Sequence, residues 1–361
     1  MKLLLQCSTK QVGVIHRVPC LPILVSAHEL GGVILLLYSV SKGGVRLGRG
    51  HTVNDHQTLA MSPLEPNHVV SDLFSVKGLN VVITGAGGRG LGAMMTRALA
   101  QNGANKIFII GRRQAALEET VSTCPPGIVV PIQGDVTSKE SLSSCAEQIA
   151  SQVPYLDVVI ANSGIIGPPS KVPGKSDPTL EEMRDHWWSH EVDEFNQTMN
   201  VNTTGVFFTV MAFLPLLQKA NELRPTSSFA ARPQIVCVTS IAAFMRTAPA
   251  SFAYSASKAG AEHMVKNLAT KLTRFKIRCN CIAPGPFMSE MTEGQFTGKL
   301  SETRGLQEGE WPIQEIPLER AGGEEDIGGA ILYLCSRAGS FLSGNTIVLD
   351  GGRLSGLPSS Y

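Results

Sequence analysis

The stretch Tyr254-Ser-Ala-Ser-Lys258 sets a phenol and an ammonium four residues apart at the start of a helical pattern, and residues i and i+4 share one helix face. A tyrosine hydroxyl can give a proton to a carbonyl oxygen or take one from an alcohol. A free phenol titrates near about 10, too high for a base near neutrality, and a cation held beside it favours the phenolate. The pair therefore has the chemistry of a general acid/base. A Y-x-x-x-K spacing is a common coincidence on its own, and its weight comes from what surrounds it. The apolar run 234–239 ends at Ser240, which places a hydroxyl at the carboxyl edge of a predicted strand, where ligands of open α/β sheets sit. Such a hydroxyl can donate to an oxygen on which charge develops.

A second group of residues could hold a phosphate. The apolar run 81–84 leads into Thr84-Gly85-Ala86-Gly87-Gly88-Arg89-Gly90-Leu91-Gly92, and a helical pattern follows at once. Glycines here permit a tight turn, close backbone approach to a pyrophosphate and close helix–strand packing, and the free N–H groups of the helix start attract anions. The next predicted strand, 106–110, ends in Gly111-Arg112-Arg113 with no acid in reach of a ribose diol. Arg89 lies inside the turn itself. Guanidinium groups facing one adenosine ribose suit a 2′-phosphate, which accepts charge-assisted, bidentate hydrogen bonds. The expected cofactor is NADP(H) rather than NAD(H).

These groups need a parallel sheet behind them, and the chain is patterned for one. Strands are expected at 81–84, 106–110, 128–132, 157–161, 234–239, 276–283 and 346–349, with helices at 91–102, 138–151, 199–218, 256–274 and 324–336. Short β-branched runs buried on both faces, with helices between them, give βαβ units. The predicted fold class is α/β, a Rossmann-like doubly wound parallel sheet of about seven strands in a single domain over 71–361. A 43% apolar and 17% charged composition is enough to build its core. A net charge of +1 gives no reason to expect nucleic acid or an anionic membrane as a partner. The eight cysteines are scattered without a C-x-x-C pair and read as buried free thiols of a reducing compartment, and no protein-built metal site is expected. Residues 1–70 read as an N-terminal extension, expected to be poorly ordered. Within it the apolar stretch 18–40 is interrupted by Pro22, His28 and Glu29, so a membrane anchor there is a secondary reading and a cytoplasmic enzyme the first.

The ordered set of motifs resembles the short-chain dehydrogenase/reductase family in its ordinary, non-extended branch, over roughly 73–357. The motifs are the glycine turn from Thr84 to Gly92, Gly134-Asp135-Val136, Ala161-Asn162-Ser163-Gly164, Asn202-Thr203-Thr204-Gly205, Ser240, Tyr254 with Lys258, Pro284-Gly285 and Asp350-Gly351-Gly352. The glycine turn carries one residue more than the family's usual pattern, and Ser163 stands where an alanine is usual. The resemblance implies an oxidoreductase moving a hydride between nicotinamide and a carbonyl or secondary alcohol. Tyr254 would be the acid/base and also a cofactor contact, Lys258 would bind the nicotinamide ribose, Ser240 would donate to the substrate oxygen, and Asn202 would hold a water leading to Lys258. The cofactor would lie on Thr84, Gly85, Arg89, Gly90, Leu91, Gly92, Arg112 and Arg113. It would continue along Asp135 and Val136 at the adenine, and Asn162 and Gly164 at the ribose. Pro284, Gly285, Phe287 and Ser289 would meet the nicotinamide.

Specificity is expected in a lid over 286–320. Phe287, Met288, Met291 and Phe296, with Phe244 and Met245 after Ser240, suggest an apolar substrate, and the insert 167–191 with Trp187 and Trp188 could shape the pocket rim. The wording of several segments is closest to fungal NADP-dependent reductases, whose relatives include ketoreductases of acyl and polyketide-like metabolites. The long helices at 199–218 and 256–274 would pair in a homodimer or homotetramer. The alternative is a non-catalytic NADP(H)-binding sensor or scaffold.

Overall fold

A computed structural model describes residues 38–41, 44–47, 68–223, 231–248, 250–293 and 305–361. Contacts divide the chain into Met1–Pro63 and Leu64–Tyr361. In the first unit β1 (Tyr38–Ser41) and β2 (Gly44–Leu47) pair antiparallel, Tyr38 opposite Leu47. The rest of the expected extension up to residue 67, and nearly all of the 18–40 anchor, lies outside the described residues.

The second unit is built on seven parallel strands: β3 (Asn80–Thr84), β4 (Lys106–Gly111), β5 (Val129–Gln133), β6 (Val158–Ala161), β7 (Gln234–Val238), β8 (Arg278–Pro284) and β9 (Thr346–Leu349). Their spatial order is β5-β4-β3-β6-β7-β8-β9. The chain runs outward from β3 to β5 and then returns to the other side of β3 at β6. A crevice therefore opens at the carboxyl ends of β3 and β6, where the connections diverge.

Period-2 alternation sends neighbouring strand residues to opposite faces. Val82, Phe108 and Ile110 join one buried core with α4 (Lys139–Ala150), α7 (Gly205–Leu223) and α8 (Phe252–Leu272). Val81, Ile83, Ile107 and Ile109 join the other with α2 (Leu91–Gln101), α3 (Gln114–Ser122) and α10 (Glu324–Cys335). Four further helices, α1 (Val70–Leu73), α5 (Leu180–Trp188), α6 (Val192–Met199) and α9 (Glu290–Glu293), lie in the connections. The doubly wound sheet expected from the hydrophobic pattern is the one observed.

The long helix expected at 199–218 extends further and is not uniform. α6 and α7 are joined without a break by a π-helical turn, Asn200–Thr204, in which the Gly205 N–H donates to the Asn200 carbonyl five residues back. The run Val192–Leu223 is long and apolar enough by composition to cross a bilayer. Its apolarity has another use, since Val206, Val210, Phe213 and Leu217 are buried in the core under the sheet. Cys145, Cys237, Cys279, Cys281 and Cys335 are also core residues. Cys279 and Cys335 are pushed up to about 12 by burial, which leaves them as unreactive thiols.

Two stability predictions follow from this packing. Phe213 is fully buried in the first core, so Phe213→Ala should lower unfolding free energy by about 3–5 kcal/mol, read by urea titration. Arg320 donates from both terminal nitrogens to Asp326 (2.7 and 2.9 Å), whose Oδ2 also accepts from the Gly323 N–H. The Arg320 hydrogen bond, against a smaller effect of burial, holds the Asp326 carboxyl below its usual range. A depressed carboxyl stabilises the fold above its unfolded value and loses that contribution as pH falls through the folded one. Asp326→Asn should therefore be less stable than wild type at neutral pH, by no more than about 1 kcal/mol for so exposed a pair. The gap should close below about pH 4.

Candidate active site

The carboxyl ends of β3, β6, β7 and β8 open onto a cleft of about 660 Å³. Of the site residues expected from sequence, sixteen line it: Gly85, Gly90, Leu91, Arg112, Arg113, Asp135, Val136, Asn162, Gly164, Ser240, Tyr254, Lys258, Pro284, Gly285, Phe287 and Ser289. Thr84, Gly92 and Asn202 lie behind the lining, and the exposed Arg89 lies beside it on the turn.

The turn is held from β6. Asn162 Nδ2 donates to the carbonyls of Thr84 (3.0 Å) and Gly85 (2.8 Å), while the N–H groups of Asn162 and Ser163 donate to Thr84 Oγ1 (3.1 and 3.3 Å). Thr84 and Asn162 thus fasten the turn to the neighbouring strand end. Gly85 has φ +66, and a Cβ on it would lie 2.8 Å from Ser163 Cα. A Cβ on Gly92 would lie 2.5 Å from the Gly85 carbonyl and 2.6 Å from Asn162 Nδ2. The turn's additional residue is accommodated against α3, where the Gly88 N–H donates to Ala116 O (2.8 Å) and Thr120 Oγ1 to Ala86 O (2.8 Å). The result is a cradle whose backbone is open to the cleft, and it fits a pyrophosphate.

At the other end of the cleft, Lys258 is only 4% exposed. A buried ammonium is costly unless partnered, and Nζ donates to the Val238 carbonyl at 2.8 Å. It lies 5.7 Å from the centre of the Tyr254 ring. Gly164 makes room for it, since a Cβ there would lie 3.3 Å from both Lys258 Nζ and Asn202 Oδ1. Ser240 caps the short turn Ile241–Ala243, and its Oγ accepts from the Ala242 N–H (3.2 Å). That contact fixes the oxygen and leaves the hydroxyl proton to be donated. Ser251 caps α8 by accepting from the Tyr254 N–H (3.3 Å).

Asn202 is fully buried, and both protons of its amide are used within the protein. Nδ2 donates to Ile165 O (2.8 Å) and Ser257 Oγ (2.9 Å), and Oδ1 accepts from the Ile165 N–H (2.8 Å). The Ser257 hydroxyl passes the chain on to the Tyr254 carbonyl (2.7 Å). The side chain thus binds the β6 exit loop to the start of α8.

Several expected contacts lie elsewhere. Asp135 accepts from the Thr137 N–H and hydroxyl (2.8 and 2.7 Å), so its carboxylate also braces the loop after β5. Burial raises that carboxyl, but the Thr137 hydrogen bonds and the Arg112 charge outweigh it and hold it below its usual range. Phe287, which lines the cleft, is only 3% exposed because its ring packs beneath Gly322. Phe244 and Met245 face the C-terminal segment: Phe244 stacks edge-on with Tyr361 at 5.0 Å and Met245 pairs with Ser359. Trp187 packs on Phe252 at 5.0 Å and lines a separate cleft of about 270 Å³ with Pro168, Pro169 and His190. Phe296 and the rest of 294–304, in the expected lid, lie outside the described residues. The cleft also recruits residues that sequence reasoning missed, including Ile165, Ile166, Val201, Glu290 and Thr292. None of these carries a local signal.

A family model described as enoyl-(acyl carrier protein) reductase matches residues 85–353. The short-chain dehydrogenase/reductase PhomF of Diaporthe leptostromiformis is 41% identical over 302 residues, covering 83% of this chain and 99% of the relative. VdtF of Byssochlamys spectabilis, also a short-chain dehydrogenase/reductase, is 38% identical over 309 residues, covering 81% and 97%. Among solved structures, a Pseudomonas aeruginosa RhlG/NADP active-site complex superposes with a TM-score of 0.62 at 26% identity, covering 78% of this chain and 98% of that one.

The glycines of the turn should differ in what they tolerate. Gly92→Ala should cost about 1–3 kcal/mol of stability through the forced backbone shift. A Cβ on Gly90 meets nothing within 4 Å, so Gly90→Ala should lie within about 0.5 kcal/mol of wild type. Paired thermal melts would check both.

Proposed function

This chain belongs to the short-chain dehydrogenase/reductase family, and on that premise we propose that it is an NADP(H)-dependent oxidoreductase reducing a carbonyl or oxidising the matching secondary alcohol, with Tyr254 as general acid/base. The observation that carries the reading is the meeting of Tyr254, Ser240 and the buried Lys258 ammonium at one end of a cleft whose other end is the glycine cradle.

The cofactor would be held by Gly85, Gly90 and Leu91 at the phosphate turn, with Arg89, Arg112 and Arg113 for the 2′-phosphate. Asp135, Val136, Asn162 and Gly164 would line its adenosine half, and Pro284, Gly285, Phe287 and Ser289 its nicotinamide half. When bound, it supplies or accepts the hydride. Tyr254 gives its phenolic proton to the substrate oxygen in reduction and takes it back in oxidation. Lys258, its Nζ anchored on Val238 O, keeps a positive charge beside the phenol and favours the phenolate that reduction leaves. Ser240 donates its hydroxyl proton to the same substrate oxygen and stabilises charge there. Asn202 acts by positioning: its amide fixes Ser257 and, through it, the first turn of α8.

The substrate we propose is apolar, an acyl or polyketide-like ketone. Ile165, Ile166, Val201 and Met291 supply apolar wall around the hydroxyl groups, and the sequence wording points the same way. The homo-oligomer formed through α7 and α8 belongs to this reading and is checked by light scattering.

The test is nicotinamide absorbance with a panel of ketones, quinones and 3-oxoacyl thioesters. We expect turnover with NADPH, faster than with NADH at equal concentration, and a loss of about 10²–10⁴-fold in kcat for Tyr254→Phe with NADPH affinity unchanged. NADPH binding with turnover indifferent to Tyr254→Phe would establish the sensor or scaffold alternative instead, and faster turnover with NADH would overturn the arginine argument.

A further inference from the structure

Glu290 has no part in the mechanism above. It opens α9, downstream of Pro284-Gly285, yet its carboxylate reaches back to the glycine turn. Oε1 accepts from the Arg89 N–H at 3.1 Å, and Oε2 accepts from Arg113 Nη2 at 3.0 Å. The turn is shaped around it: Gly88 has φ +82, and a Cβ there would lie 2.1 Å from Glu290 Oε1. The hydrogen bond from Arg113, then that from the Arg89 N–H, holds the carboxyl below its usual range, so it is an anion at neutral pH.

These two donors are of the kind a phosphate monoester takes. One is a backbone N–H of a glycine turn, and the other is a guanidinium just past the end of β4. A carboxylate and a phosphate cannot share them, because each anion needs the same protons and the two repel. A cofactor without the extra phosphate would leave the Glu290 contacts in place.

We propose that Glu290 is a specificity-determining residue whose carboxylate occupies the anion position between the turn and Arg113 and competes with the 2′-phosphate of NADP(H), tempering the cofactor preference that the arginines confer. The inference rests on the cofactor reading of the cleft given above. It makes the affinity for the 2′-phosphorylated cofactor adjustable from the segment after Pro284-Gly285 and not from the turn alone.

The test compares adenosine 2′,5′-bisphosphate with adenosine 5′-monophosphate, two fragments that differ in the 2′-phosphate and involve no hydride chemistry. Binding to the full-length protein would be measured by calorimetry for wild type, Glu290→Gln and Glu290→Ala. We expect both variants to bind the bisphosphate about two- to fivefold more tightly, the range of one exposed ion pair, with the monophosphate unchanged. Both should melt close to wild type, since the Arg113 partner is 69% exposed. Equal tightening of both fragments would overturn the proposal by placing the competition at the 5′-phosphate. No change, or weaker bisphosphate binding, would overturn it as well. If wild type itself did not prefer the bisphosphate, the NADP(H) reading would fail. A wild-type preference left untouched by both variants would sink only the role of Glu290.

Discussion

The side-chain amide of Asn202 is the contact on which the geometry of this cleft depends. With no exposure to water it makes three hydrogen bonds, two to the backbone of Ile165 and one to the Ser257 hydroxyl. Ile165 belongs to the loop leaving β6, and Ser257 lies on α8 between Tyr254 and Lys258. One amide therefore relates the central strand end to the helix that carries the phenol and the ammonium. Losing it would leave backbone groups of that loop unpaired in the interior, at about 1–3 kcal/mol for each. The π-helical turn at Asn200–Thr204 is the local irregularity at which Asn202 sits, and such insertions gather at functional sites.

A second, part-buried polar arrangement does the same work at the other end of the cleft. Asn162 holds two carbonyls of the glycine turn, and Thr84 accepts from two N–H groups of the β6 exit. Both arrangements spring from the four residues after β6, so the strand at the reversal of sheet order anchors both halves of the cleft. Glycine is required where these clamps come closest, Gly85 against Ser163, Gly92 against Asn162 and Gly285 against Asp350 at 2.7 Å, and Gly164 gives close-fitting room beside Lys258. The space that these missing side chains leave is what allows turn, lysine and strand ends to converge within one cleft.

Much of this was legible in the chain. All seven sheet strands fall within two residues of their expected bounds, because apolar β-branched runs flanked by helical periods leave little choice of element. Helices with weak periodicity were less legible: α3 and α5 are short, polar helices that the sequence pattern did not single out. The motif residues were placed at one sheet edge by their order along the chain. What their side chains touch was not legible. The amide of Asn162 is held by the Thr84 and Gly85 carbonyls, and that of Asn202 by the Ile165 backbone and the Ser257 hydroxyl. Phe244 read as a pocket wall, yet it packs on the C-terminal segment, while Phe287 lines the cleft and also packs under Gly322.

The sequence by itself determined the sheet, the family and the identity of the residues that meet at its carboxyl edge. Those properties follow from local periodicity and from short motifs whose spacing is a backbone constraint. The tertiary structure decided which of these groups face the cleft and which brace it from behind. It also decided that Glu290 stands on the glycine turn, 201 residues from its backbone donor and 177 from its guanidinium donor. A carboxylate acquires such partners only when the chain has closed on itself, since nothing in the residues beside it records which distant donors the sheet will bring to 3.0 and 3.1 Å.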